Sequence, residues 1–190
     1  MPAAYHEVMN ETLRKVTHLG FGLIIATFVL AAPHDVAVVS LTLAIFCGFI
    51  ISDALSRGYA LPLITPIMDL LERKDAVPGK GALFFSLGAL FCLVVFETRT
   101  VFLALVVLSV LDSVSTIFGI RYGKTRIYNH KSLEGSLAGI IATVAALLPF
   151  LTPGLALLVA GVAGVVELLA PVDDNLIIPV AVCLLLTYVQ

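Results

Sequence analysis

Two acidic residues inside apolar stretches are the first positions in this chain whose type and place suggest chemistry. Asp112 lies well inside a long apolar run, and Glu167 lies near the end of another. An ionised carboxylate at membrane depth costs about 3 kcal/mol even on an insertion scale, so it needs an ion-pair partner, water or a metal ion. For each residue taken alone, an ion pair that only orders helices is the competing interpretation.

Further polar residues recur at the spacing of one helix face. Residues three and four apart lie on the same side of an α-helix. Two such stripes are present, formed by Glu7, Glu11, Arg14 and His18 and by Ser109, Asp112, Thr116 and Gly119. Asp174 and Asn175 open the last apolar run. All these groups lie towards one end of their apolar runs, so we expect the helices to wall a polar cavity at one membrane face.

The stretch 112–139 has the densest polar pattern. After Asp112 it contains Gly123, which permits a tight turn, and the cations Lys124 and Lys131. Acids opposite lysines suit a metal-bound polyphosphate.

The start of the following helix, at residues 132–136, adds to this pattern. Backbone N–H groups at a helix start favour phosphate oxygens, and small residues such as Gly135 and Ser136 let a ligand or another helix approach closely. A cytoplasmic basic loop with a helix cap at Ser132 is the alternative interpretation. That alternative explains the lysines and the serine but not Asp112.

The composition indicates lipid as the solvent. Of the 190 residues, 60% are hydrophobic and 13% are charged, with a mean hydropathy of +1.09, whereas a soluble domain is usually about half apolar and about a quarter charged. The 11 basic and 13 acidic residues give a net charge of −2, which excludes a nucleic-acid-binding module. Cys47, Cys92 and Cys183 each lie in an apolar run without ligand spacing, so we expect neither disulfides nor zinc.

The apolar runs predict an all-α, polytopic membrane protein with a single domain over 1–190. A spanning helix needs about 20 apolar residues, with about 17 as a lower limit. Seven candidates occur, at 16–32, 36–56, 80–97, 100–120, 135–151, 153–170 and 175–189. Residues 62–74 are too short and too charged to span, and they predict either a short interfacial helix or an ordered loop.

The distribution of Lys and Arg predicts the orientation. With a cytoplasmic N-terminus, ten of the eleven basic residues fall in the cytoplasmic segments 1–15, 57–80 and 121–134, and only Arg99 lies outside. We therefore expect a multi-pass protein whose polar cavity opens to the cytosol. The Gly- and Ala-rich stretch 154–164 could also pack against a second copy, so a homodimer is an open expectation.

Three blocks of the sequence resemble the CTP-dependent polyprenol kinases, a family that comprises dolichol kinase, phytol kinase and the CTP-using diacylglycerol kinase. The first block is Arg14, Lys15 and His18. The second is Asp112, Gly119, Gly123, Lys124, Lys131, Ser132, Glu134, Gly135, Ser136, Ala138 and Gly139. The third is Glu167, Asp174, Asn175, Leu176 and Pro179. The blocks occur in family order over nearly the whole chain.

The resemblance implies transfer of the γ-phosphoryl group of CTP to the hydroxyl of a long-chain lipid alcohol, of the polyprenol or dolichol type or of the diacylglycerol type. Two positions depart from the family pattern, because Leu111 stands where glycine is usual and Ser115 where alanine is common. The chain is also shorter than the larger dolichol kinases. These departures bear on the substrate more than on the chemistry.

Two other functions remain open at this point. The CDP-diacylglycerol synthases, which transfer a cytidylyl group to phosphatidate, share the second block loosely, but they end in a Gly- and Asp-rich signature, whereas this chain has Asp174-Asn175-Leu176. A small-solute transporter would need polar residues through both leaflets. The outer half offers only His34, Asp35, Glu97 and Arg99, in its loops.

The resemblance also suggests a role for each candidate residue. Asp112 and Asp174 would hold Mg²⁺ with help from Glu134 or Glu167. The catalytic groups would be Asp112, His18 and Glu167, with the base either His18 or one of the acids. Nucleotide and phosphate binding would use Arg14, Lys15, Lys124, Lys131, Ser132, Glu134, Gly135, Ser136 and Asn175.

Overall fold

The structure, a computed structural model, describes residues 3–71, 77–127 and 131–189, and within these ranges it is all-α. The described helices are α1 (Ala3–Ala31), α2 (His34–Ser56), α3 (Ile64–Leu71), α4 (Lys80–Val95), α5 (Thr98–Tyr122), α6 (Leu133–Leu147), α7 (Pro153–Leu169) and α8 (Asp174–Val189). No strand occurs in these ranges, and the one isolated β-bridge pairs Arg126 with Ser132. The expected all-α fold is confirmed.

Helix ends fall where the sequence interrupts its apolar runs. Pro33 caps the start of α2, and Pro153 is the first residue of α7, where proline's missing N–H has no cost. The Ser132 hydroxyl caps α6 by accepting a hydrogen bond from the Gly135 N–H. These local signals explain why most helix ends lie within two residues of the expected apolar runs. The exceptions are α1, which begins at Ala3 and not at 16, and α6, which ends at Leu147 and not at 151.

Three of the described helices, α1 over Val8–Ala31, α2 and α5, are long and apolar enough to cross a membrane by length and composition. The apolar helices α4, α6, α7 and α8 have 15 to 17 residues, which is short against the roughly 20 that a span across the hydrocarbon core needs. Membrane character is therefore supported at this coarser level, and the count of seven spans stays a proposal.

Helix α5 is the centre of the bundle. It contacts α1, α4, α6, α7 and α8, and its residues from Thr100 to Ser109 are all buried. By contrast α2 lies at the periphery and packs mainly on α4. Large apolar side chains such as Phe21 of α1 and Phe46 of α2 are more than half exposed. Such an exposed apolar surface suits contact with lipid.

The segment predicted as a short helix or a loop contains α3. The helix covers Ile64–Leu71, and the predicted remainder at 72–74 lies outside the described residues. Leu63, just before α3, has a positive φ of 75° and is 81% exposed. The helical interpretation is confirmed for 64–71, and its position at a membrane interface stays a prediction.

Candidate functional site

A cavity of about 820 Å³ lies at the end of the bundle where α5 and α7 finish and where α4, α6 and α8 begin. Its wall combines charged side chains from α1, α5, α7 and α8 with the segment that precedes α6. Of the predicted site residues, it is lined by Arg14, Lys15, His18, Asp112, Lys131, Ser132, Ser136, Glu167, Asp174 and Asn175. The fold thus gathers residues that are far apart in the sequence.

Three carboxylates from three helices meet in this cavity. One oxygen each from Asp112, Glu167 and Asp174 lies within 4.8 Å of the other two. The Asp112 and Glu167 residues are buried, with only 6% and 2% of their surface exposed, and Asp174 is half-buried. Clustered carboxylate oxygens are the donor set that Mg²⁺ and Ca²⁺ prefer.

Lys131 neutralises two of these acids. Its ammonium donates to Asp174 Oδ2 at 2.7 Å and to the main-chain carbonyl of Glu167 at 2.7 Å, and it lies 3.4 Å from Glu167 Oε1. Burial acts to lower the pKa of Lys131, but the carboxylates of Glu167 and Asp174 outweigh it and raise the pKa above its usual value. Lys131 is therefore charged across the physiological pH range.

The first helix supplies the counter-charge for the third acid. The Lys15 ammonium donates to both carboxylate oxygens of Asp112 at 2.6 Å. His18 Nε2 lies 3.4 Å from Asp112 Oδ2. Arg14, on the same helix, forms an ion pair with Glu11. Of the predicted polar stripe of α1, His18 thus faces Asp112 in the polar stripe of α5, and the side chain of Glu7 lies outside the described residues.

One oxygen in the acidic cluster lacks a donor. Glu167 Oε1 accepts a hydrogen bond from the Ser115 hydroxyl at 2.6 Å, whereas Glu167 Oε2 is buried without a hydrogen-bond partner in the described part of the chain. A buried carboxylate oxygen left unpaired is costly, and a bound divalent cation would satisfy it. The three acids therefore fit a metal ion.

The start of α6 differs from what the sequence predicts. The N–H of Leu133 donates to Thr125 O, that of Gly135 to the Ser132 hydroxyl, and that of Ser136 to Ser132 O. The predicted phosphate cradle of free amides is wrong, because the loop and the cap already use these donors. Of the described residues at this helix start, Ser132 and Ser136 line the cavity.

Three predicted site residues, Lys124, Glu134 and Gly135, do not line the cavity. Lys124 is exposed, and Glu134 accepts hydrogen bonds from the backbone N–H groups of Lys124 and Thr125 at 3.1 and 3.2 Å. Glu134 therefore braces the loop and lies outside the group of acids that could hold a metal ion, while its expected role in nucleotide binding stays a prediction. A carboxylate in the first turn of a helix has the adjacent loop amides within reach, and here they hold it.

Gly135 lies in the contact between α5 and α6 and does not line the cavity. A Cβ on this residue would lie 2.4 Å from the main-chain oxygen of Ser115 and 2.9 Å from Cα of Gly119. The residue is buried in the α5–α6 contact. Of the two roles that the sequence left open for the small residues, close approach of another helix is the one found at Gly135.

Sequence reasoning missed several residues of the cavity wall. Lys80, at the start of α4, lies 3.6 Å from Asp173, and both line the cavity together with Arg126. Ser115, noted only as a departure from a family pattern, bonds Glu167. The sequence signal for Ser115 was present, because it lies three residues after Asp112 and hence on the same helix face.

Fold and site together define an all-α protein whose apolar helices enclose a buried cluster of acids and lysines. The chain is 33% identical over 186 residues to the uncharacterized protein MJ1137 of Methanocaldococcus jannaschii, and the match covers 95% of this chain and 94% of the archaeal protein. The chain therefore belongs to the same family as MJ1137. No protein-family model matches it, and no solved structure matches it.

Proposed function

We propose that the protein is an integral membrane kinase that transfers the γ-phosphoryl group of CTP to the hydroxyl of a long-chain lipid alcohol. The observation that carries the proposal is the cluster of Asp112, Glu167 and Asp174, paired with Lys15 and Lys131 in one cavity. Phosphoryl transfer is catalysed mostly by positioning and by stabilising charge on the phosphate oxygens. A cavity with several cations and a metal-binding set of acids supplies those two elements.

The proposed topology has seven spans, with the N-terminus and the cavity on the cytoplasmic side. Support comes from the basic residues, ten of eleven of which fall in the proposed cytoplasmic segments. The cavity lies at the end of α5 that carries Arg121, and the opposite end of that helix carries Arg99, the remaining basic residue. Nucleotides would therefore enter from the cytosol.

In the proposed mechanism, Asp112, Glu167 and Asp174 would hold Mg²⁺, and the ion would offset negative charge on the triphosphate. Lys15 and Lys131 pair with these acids and are equally suited to phosphate oxygens, so they would bind and orient the triphosphate. The alcohol oxygen forms a bond to the γ-phosphorus as the bond to the bridging β–γ oxygen breaks. CDP leaves, and the hydroxyl proton goes to a base in the cavity.

We propose His18 as that base. Its Nε2 is buried without a hydrogen-bond partner among the described residues, and it lies beside Asp112. An acceptor nitrogen without a donor can take a hydrogen bond from an incoming hydroxyl. Asp112 would then stabilise the imidazolium that forms when Nε2 takes the proton.

One competing function has little support in the described residues. A transporter needs a polar path across the membrane, but α5 is continuously apolar and buried from Val101 to Leu108 at the centre of the bundle. A cytidylyltransferase that makes a CDP-lipid remains the alternative, because the same cavity could bind a triphosphate for attack at the α-phosphorus.

Labelled nucleotides separate these functions. The purified protein in lipid vesicles is supplied with Mg²⁺ and a panel of lipid alcohols, together with phosphatidate, and with CTP labelled either at the γ-phosphorus or in the base. We expect γ-label in the lipid fraction and base label in aqueous CDP. Base label in the lipid would establish a cytidylyltransferase and overturn the kinase proposal. Parallel reactions with γ-labelled ATP show whether CTP or ATP is the phosphoryl donor.

A further inference from the structure

The cavity continues from the charged cluster into an apolar extension. We call this extension the apolar arm, and its wall is formed by Phe21, Gly22, Ile25, Ile67, Met68 and Phe85. These residues come from α1, α3 and α4. Their side chains offer no hydrogen-bonding group beyond the weakly accepting thioether of Met68, so a ligand here would be held mainly by burial of apolar surface.

The arm is open to the exterior. Phe21 and Ile67 both line the cavity, yet 62% and 52% of their surfaces are exposed. Exposure of this extent in two wall residues indicates that the cavity is not enclosed here. Phe21 belongs to α1 and Ile67 to α3, and these two helices contact each other.

The inner end of the arm meets the charged cluster at His18. The His18 ring packs edge-on against Phe85, with ring centroids 5.5 Å apart, and its Nε2 lies 3.4 Å from Asp112. Ile25 is seven residues further along α1, which is about 10 Å at the rise of an α-helix. The arm therefore leads from the outer surface directly to the proposed phosphoryl-transfer centre.

We propose that the apolar arm binds the hydrocarbon chain of the acceptor alcohol, which enters from the bilayer between α1 and α3 and places its hydroxyl beside His18. The substrate class rests on the proposed function. The occupant is a hydrocarbon chain because the walls are apolar, the exposed wall residues Phe21 and Ile67 are apolar too, and the inner end carries groups suited to a hydroxyl and a phosphate.

The chain has no tryptophan, so a single introduced indole can report on the arm. Phe21→Trp places the reporter at the opening, and Ile67→Trp is a second reporter on the other side. Phe46→Trp is the matched control, because Phe46 is 63% exposed against 62% for Phe21 and does not line the cavity. Phe21 lies ten residues before the end of α1, and Phe46 lies twelve residues after the start of α2. Measured along the helices from the α1–α2 connection, their depths therefore differ by about 3 Å.

Each variant is placed in vesicles of unbrominated phospholipid, and a long-chain alcohol brominated in mid-chain is added in steps to quench the indole. We expect saturable quenching of Trp at 21 and 67, with half of the effect at a mole fraction about tenfold lower than at 46. Unbrominated alcohol should restore the fluorescence of the arm reporters. Equal, unsaturated quenching at all three positions would overturn the proposal.

This measurement does not depend on turnover. If quenching is saturable but no γ-label reaches lipid, the arm stands as a chain-binding site and the kinase proposal fails. If phosphoryl transfer occurs while the arm reporters respond like the control, the arm proposal fails and the kinase proposal stands.

Discussion

At the scale of single residues, Asp112 has the most connections in the candidate site. It accepts from Lys15, approaches His18, and contributes an oxygen to the three-acid cluster, although it lies on the most buried helix of the bundle. An ion pair with Lys15 would account for a structural role by itself. A purely structural role does not explain why Glu167 and Asp174 also lie close to Asp112, since adjacent like charges destabilise one another.

Asp112→Asn should therefore abolish catalysis while keeping the fold. Asparagine preserves the shape and can still accept from Lys15, but it removes the charge that holds the metal. We expect transfer to fall by about a hundredfold or more, measured as γ-label incorporated into lipid. The matched control is Asp53→Asn, because Asp53 forms an exposed surface pair with Arg57. Near-normal turnover by Asp112→Asn would show that the residue is structural.

Lys131 gives a prediction in the alkaline range. Its pKa is raised in the fold by Glu167 and Asp174, so its contribution to stability is complete below the unfolded pKa of about 10.4. The contribution is lost as the pH rises through the higher folded pKa. Lys131→Met should lower the unfolding temperature at neutral pH. The difference in unfolding temperature between variant and wild type should shrink as the pH rises above the folded pKa of Lys131. Lys124→Met, at an exposed lysine, should show no such difference at any pH.

At the scale of helices, the contact between α5 and α6 positions the site. Gly135→Ala would place a Cβ 2.4 Å from Ser115 O, so α6 must shift, at a cost of about 1–3 kcal/mol. We expect a lower unfolding temperature, followed with a thiol-reactive dye that reaches the buried Cys92 and Cys183 on unfolding. Gly161→Ala on α7 meets nothing within 4 Å and should be neutral or slightly stabilising. Equal stability of the two variants would contradict the packing role.

The sequence predicts helices far better than it predicts their partners. Proline, glycine and charged residues interrupt the apolar runs, and such interruptions are local, so the helix ends are readable. The pairing of Lys15 with Asp112 bridges 97 positions, and no local signal encodes it. Glu134 and Glu167 are equally plausible metal ligands by type and spacing. Only the tertiary arrangement brings Glu167 to the cluster and leaves Glu134 on loop amides.

At the scale of the whole molecule, orientation decides whether the cavity faces the nucleotide pool. Arg57 directly follows the end of α2, and Glu97 directly precedes α5, and both residues are exposed. In the proposed topology, Arg57→Cys and Glu97→Cys therefore place thiols on opposite faces of the membrane. A membrane-impermeant maleimide applied to intact cells should label position 97 and spare 57. The wild-type protein, with Cys47 inside α2 and the other two cysteines buried, controls for background. Labelling at position 57 with protection at position 97 would show that the topology is the inverse of the proposed one.

The central claim is that acids from α5, α7 and α8 form one divalent-cation site that works with a nucleotide. Electron paramagnetic resonance of Mn²⁺, as a substitute for Mg²⁺, measures this directly in the presence of CTP. We predict that the wild-type protein and Glu134→Gln bind Mn²⁺ alike, and that Glu167→Gln weakens binding by about tenfold or more. Equal binding by Glu167→Gln and wild type, or loss of binding in Glu134→Gln alone, would contradict the account.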